Sequence, residues 1–227
     1  MQPIFAAHIS TRLSRARRAG LHSALVLVSV ALLVAAASAQ FGAPPTTQVH
    51  DPSALKPPPG ARVAIVEFAD MECPDCARAN PVLKEAAAKY NIPWVRHDFP
   101  LPYHAWGLQA AVDARYFDAK SQKLGDDYRD YIFSNQISIE TLDQLRQFTE
   151  KFAAGHGVAL PFAIDPMGKL AAQVRADYAL GQRIGIEHTP TIWIVTNAAH
   201  GAPFVEVVDR SKLFQLIDAA IAETRGH

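Results

Sequence analysis

Cysteine is almost missing from this chain: 227 residues carry two, Cys73 and Cys76, both inside one Cys-Pro-Asp-Cys stretch. With no third thiol, the disulfide framework that staples many small exported domains is excluded. No acidic residue precedes Asp51. A basic surplus is missing too, since 22 Lys+Arg face 22 Asp+Glu. Without a basic stripe to neutralise phosphates, the composition argues against nucleic acid as a partner. No internal repeat is present, which excludes a solenoid or array.

What stands in the acid-free region is patterned. Arg12, Arg15, Arg17 and Arg18 precede an apolar run from Ala24 to Ala37 broken only by Ser29, and the run closes on Ala37-Ser38-Ala39. A basic flank, an apolar centre and small residues at the two recognition positions predict a signal peptide over residues 1–39, cut before Gln40. The alternative is that Leu21 to Ala39 is retained as a membrane anchor in a thinned bilayer. Either way the remainder is delivered across a membrane. Loss of the four arginines leaves that remainder at about −4.

Residues 40–60 hold Pro44, Pro45, Pro52, Pro57, Pro58 and Pro59 among small and polar residues, the composition of an extended, unpacked linker. The folded domain is expected over 61–227. Val63 to Phe68 reads as a buried strand with a single acid, Glu67. Ala77 to Tyr90 is helical and closes at Asn91 and Pro93, with Pro81 expected to kink it. Pro93 to Asp98 reads as a second strand. Three amphipathic stripes follow: Leu108 to Phe117, Leu142 to Phe152, and one opened by Asp165-Pro166 that runs toward Gly181. Strand character returns at Thr191 to Val195 and Phe204 to Val208, and Leu213, Ile217 and Ile221 mark a last helix. This order predicts an α/β core split by an all-helical insertion at about 100–185.

A lone Cys-x-x-Cys is compatible with a redox pair, half a zinc site, a short structural disulfide or haem attachment. Haem attachment fails, because Ala77 stands where histidine is required. Zinc would need two more ligands from His97, His104, His156 or His188, and these form no second paired motif. The redox reading has a mechanism. A thiol at a helix N-terminus faces unpaired backbone N–H groups and the positive end of the macrodipole, which favour its thiolate. Cys73, just before the helix, is the one so placed. Cys76 sits one turn on, in position to resolve a mixed disulfide.

Val66-Glu67-Phe68, the dithiol, Pro81 and Thr189-Pro190 together resemble the thioredoxin superfamily. The long helical text between Cys76 and Pro190, with Asp98 to His104 and Tyr128 to Phe133, is similar to the DsbA-like thiol–disulfide oxidoreductases. The resemblance spans roughly Ala61 to Ile221. It implies a thioredoxin-like fold with an inserted helical domain, a cis peptide at Pro190, and a buried Glu67 that handles protons near Cys76. It implies periplasmic or other extracytoplasmic work on unfolded or cysteine-containing polypeptides. It further implies a membrane redox partner, either a quinone-linked oxidase or a thiol donor, and calls for no cofactor and no metal.

The chain departs from the strongly oxidising members, which carry histidine between the cysteines where this chain has Pro74 and Asp75, with Asp70 and Glu72 nearby. A carboxylate some 6–8 Å away disfavours a thiolate by roughly 0.5 to 3 kcal/mol. Thiolate stabilisation in the reduced form is what makes a dithiol oxidising. Asp75 therefore predicts a mild oxidase, and Thr189 before the proline points the same way by resemblance. A reductase or isomerase of the same fold, and a binding module with a structural disulfide, remain open alternatives. His188 is expected in a solvated loop and His104 is given no chemistry. Trp94, Trp106, Phe117 and Phe148 are read as core.

Overall fold

A computed structural model describes residues 46–198 and 202–225. The expected signal peptide and the first part of the Pro-rich stretch lie outside the described residues.

Among the described residues, four strands form one sheet in the order β2-β1-β3-β4. They are β1 (Val63–Ala69), β2 (Trp94–Asp98), β3 (Thr191–Thr196) and β4 (Phe204–Glu206). β1 pairs parallel with β2 and antiparallel with β3, and β3 pairs antiparallel with β4. As the central strand, β1 is covered on both faces, which is why its run is β-branched and continuous rather than alternating. Side chains alternate across it. Val63 and Ile65 meet Leu83, Leu213 and Ile217 on one face, whereas Ala64, Val66 and Phe68 meet Trp193, Ile184 and Leu55 on the other. Glu67 shares the parity of Val63 and Ile65, so it faces the helix that carries the cysteines.

That helix, α1 (Pro74–Tyr90), begins where the sequence gives a proline suited to the first helical position and ends at Asn91 in the left-handed conformation. Between β2 and β3 come α2 (Gly107–Asp118), α3 (Gln122–Asn135), α4 (Leu142–Gly155) and α5 (Lys169–Ile184). Trp106, Phe117, Tyr128, Ile132, Leu145 and Phe152 form the buried core of this helical layer. A Thr141–Gln144 capping box starts α4. The last helix, α6 (Leu213–Arg225), returns to the sheet through Leu213 and Ile217. The fold is thus thioredoxin-like with an inserted helical domain.

Two expectations need correction. α5 starts at Lys169, after Gly168, and not at Asp165-Pro166. Asp165 still serves the helix from outside, its Oδ2 accepting the Ala171 N–H at 2.8 Å. Nor is the chain before Ala61 wholly unpacked. Leu55 is buried against the sheet, the His50 N–H donates to the Ile184 carbonyl at 2.8 Å, and the Thr47 hydroxyl donates to Glu206 Oε1 at 3.0 Å. Gly185, at φ 103°, makes room for this segment: a Cβ there would stand 2.5 Å from the Gln48 carbonyl oxygen.

Candidate active site

The site forms where α1 begins, beside the loop that enters β3. Cys73 is the N-cap of α1, with extended backbone, and its thiol stands over the first turn. Cys76 lies one turn inside the helix. Both are thiols and both are buried, Cys73 at 7% exposure and Cys76 at 0%. The Cys73 Sγ donates to the Thr189 carbonyl at 3.3 Å, which ties the dithiol to the cis Thr189-Pro190 peptide across 116 positions of sequence.

The two sulfurs differ electrostatically. Cys73 is lowered to about 5, first by the hydrogen bond from the Cys76 thiol, against a desolvation cost, and then by the Thr189 hydroxyl and the N–H groups of Cys76 and Asp75. The Thr189 Oγ1 is buried and has no partner while Cys73 is a thiol, so its proton is available to the thiolate. Cys76 is pushed well above its ordinary range, first by burial and then by Cys73 and Glu67. Its Sγ accepts the Asp70 N–H at 3.5 Å.

Glu67 is 2% exposed beneath this pair. Burial raises its carboxyl to about 7, with Arg96, the Trp94 hydrogen bond and Arg129 acting in the opposite sense. The Trp94 indole donates to Glu67 Oε2 at 3.0 Å. Trp94 also lines a charged cleft of about 500 Å³ with Arg96, Arg115, Arg129, Asp126 and Asp130.

The acids near the dithiol are all engaged. Asp70 is buried and accepts from the Leu101 and Glu72 N–H groups and from His104 Nδ1. Glu72 accepts the N–H groups of Ala105, Trp106 and Gly107 at 3.0, 2.6 and 2.8 Å, which caps α2. Asp75 is held by two arginines, Arg210 and Arg78. The expectation of a bare Asp75 charge opposing the helix terminus therefore does not hold, because its carboxylate is neutralised.

Of the residues singled out in sequence, the structure gathers Cys73, Cys76, Glu67, Thr189 and Pro190. Pro74 takes the first helical position and Asp75 turns toward Arg210. His188 is exposed. Sequence reading missed Arg210, Trp94 as a partner of Glu67, and His104 as a partner of Asp70. No spacing rule joins positions that far apart; only the unpaired acids of the Asp70 to Asp75 stretch hinted that partners had to exist. Among the described residues, no group of three or more His, Cys, Asp or Glu side chains is set to hold a metal ion.

A four-stranded sheet that carries a dithiol at a helix N-terminus beside a cis proline defines the thioredoxin-like class of proteins. The family model described as Thioredoxin matches residues 58–210, and the chain belongs to that family. Three solved structures share the fold. Wolbachia pipientis alpha-DsbA1 is 20% identical with a TM-score of 0.58, over 74% of this chain and 92% of that one. Proteus mirabilis ScsC in a transitional conformation is 16% identical with a TM-score of 0.58, over 95% and 100%. A periplasmic thioredoxin-like protein from Salmonella enterica serovar Typhimurium is 19% identical with a TM-score of 0.57, over 72% and 87%. In sequence, the chain is 24% identical over 174 residues to the Na(+)/H(+) antiporter NhaA 3 of Salinispora tropica. That match takes in 76% of this chain and 26% of the antiporter, so the chain spans about a quarter of the length of that curated relative. Among the described residues, no helix is long and apolar enough to cross a membrane.

Proposed function

We propose that this chain is an exported thiol–disulfide oxidoreductase that exchanges disulfides with cysteine-containing polypeptides, with Cys73 as nucleophile and Cys76 as resolver. The observation that carries the reading is the asymmetry of the pair: Cys73 sits at the N-cap of α1 against the Thr189 carbonyl, which suits a lowered thiol, whereas Cys76 is fully buried one turn inside the helix, which pushes its thiol up. A structural disulfide has no use for such an asymmetry, whereas an exchange site requires it.

In the oxidising direction, a client thiolate attacks Cys73 Sγ of the Cys73–Cys76 disulfide. The Cys73–client bond forms, the S–S bond to Cys76 breaks, and the Cys76 thiolate takes a proton from the carboxyl of Glu67. A second client thiolate then attacks the client sulfur of the mixed disulfide. The client leaves oxidised and Cys73 departs as a thiolate, held by the Asp75 and Cys76 N–H groups and the Thr189 hydroxyl. In the reverse direction the Glu67 carboxylate deprotonates Cys76, which attacks Cys73 to release a reduced client.

Cys73 at about 5 falls between the values of about 7 and about 3.5 for reducing and strongly oxidising dithiols. That supports a mild oxidase, recharged by a membrane redox partner outside the cytoplasm. Replacing Cys76 with Ser removes the resolver, so mixed disulfides should accumulate through Cys73 and vanish in the Cys73→Ser protein. Clients trapped through Cys76, or not at all, would refute the assignment.

A further inference from the structure

The exchange chemistry leaves a well-formed charged pair at the mouth of the site unused. Asp75, in the first turn of α1 between the two cysteines, is gripped by Arg210, which is 135 positions away in sequence. Arg210 Nη1 donates to Asp75 Oδ2 at 2.9 Å and Nη2 donates to Oδ1 at 2.6 Å, a two-pronged contact in which both carboxylate oxygens are used. Arg78, one turn along α1, donates from Nε to Oδ1 at 3.3 Å, but its side chain is 66% exposed against 33% for Arg210.

Arg210 is delivered by a fixed element. It opens a short 3-10 turn, Arg210–Lys212, whose start is capped by Asp209 through the Ser211 N–H at 3.0 Å. The turn runs directly into Leu213, which is fully buried in the core against α1 and β1. The guanidinium is therefore carried to the mouth of the site by the packing of α6.

We propose that Arg210 is a positioning residue of the dithiol: it neutralises Asp75 at the terminus of α1 and so permits the Cys73 thiolate that an unpaired carboxylate there would oppose. The proposal rests on the reading of Cys73 as the working nucleophile. An arginine suits the task, since it stays charged at every working pH and its planar fork fixes both oxygens. A pair this exposed adds little to stability, so its consequence is electrostatic. As thiolates, both sulfurs favour the protonated Arg210, behind the larger contribution of Asp75. Such coupling is reciprocal, so Arg210 favours the thiolate. The charged and titratable groups around Cys73 are Asp75, Arg78 and Arg210 at the rim, Cys76 on the first turn of α1, Glu67 from β1, Asp70 with its partner His104 and Glu72 in the turn before Cys73, and the exposed His188 in the loop that brings Thr189.

Four variants test this: Arg210→Gln, Arg210→Lys, Asp75→Asn and the double Asp75→Asn/Arg210→Gln. The reduced proteins are titrated by thiolate absorbance, with thermal unfolding as a control for folding. Arg210→Gln leaves Asp75 opposed only by Arg78 and should raise the Cys73 midpoint by about 0.5–1.5 pH units. Asp75→Asn leaves the cation unopposed and should lower it. The double variant should return close to wild type, and Arg210→Lys should lie between wild type and Arg210→Gln. Single variants that move the midpoint the same way, a double variant that keeps the whole upward shift of Arg210→Gln, or a loss of thermal stability with no titration shift would overturn the proposal and leave the pair structural. A wild-type protein with no thiol titrating below about pH 7 would instead overturn the nucleophile reading, and the proposal with it.

Discussion

The Trp94 indole on the edge strand donates to Glu67 Oε2 on the central strand at 3.0 Å. A neutral donor thus holds the acid beneath the dithiol, and burial, not a paired charge, decides the carboxyl's state. That arrangement leaves Glu67 near about 7, where it can both give and take a proton.

Glu67→Gln should therefore slow the step that forms or releases the Cys76 thiolate by about tenfold or more, with attack at Cys73 little changed. Rapid-mixing measurement of mixed-disulfide formation and resolution separates the two. The substitution should also alter stability. A carboxyl raised from 4.5 to about 7 on folding favours the native state below 4.5, and that contribution is lost as pH climbs to about 7. Above pH 7, Glu67→Gln should be the more stable protein by about 1–3 kcal/mol in denaturant unfolding, and below pH 4.5 the difference should vanish.

A second buried acid makes a parallel case far from the chemistry. Asp113 on α2 accepts from Gln109 Nε2 at 2.8 Å and Thr149 Oγ1 at 3.0 Å, and burial raises it to about 6. Its contribution to stability falls as pH rises from 3.8 to about 6. Thr149→Val, which removes one donor, should cost about 1–2 kcal/mol at neutral pH and less in acid.

Gly181 lies where α5 crosses the sheet. A Cβ there would stand 2.6 Å from the Phe99 ring and 3.1 Å from Phe68. Gly181→Ala should destabilise by about 1–3 kcal/mol through overpacking, in spite of its better helix propensity. Thermal unfolding checks the sign.

Much of the fold was legible because its signals are local. β1 is a β-branched run, α1 closes at Asn91, and α4 carries the apolar stripe from Leu142 to Phe152. Asp165 shows where local reading slips: capping chemistry is present, but the carboxylate reaches forward to Ala171 and the helix starts later. The stretch before Ala61 read as linker because proline dominates it, although Val49 and Leu55 were the apolar residues that now pack on the core. At the site, the dithiol, Glu67 and Thr189-Pro190 were legible from motif and register. The state of Asp75 was not, because its charge depends on a guanidinium supplied by tertiary packing from position 210.

The pH dependence of the reduction potential follows from the two thiols. Below the Cys73 value two protons accompany two electrons, and the potential should fall by about 59 mV per pH unit. Above it Cys76 alone takes a proton, and the slope should halve to about 30 mV. The break should fall near pH 5. Glutathione equilibria between pH 4 and 8 locate it.

The most direct test of the account is the thiolate titration of the reduced protein beside Cys73→Ser and Cys76→Ser. A single thiol should ionise near about 5 in wild type. That transition should be lost in Cys73→Ser, and in Cys76→Ser it should survive, shifted by the exchange of a thiol donor for a hydroxyl. Two thiols that both titrate above pH 8, or a low transition that persists in Cys73→Ser, would contradict the assignment of Cys73 as the nucleophile.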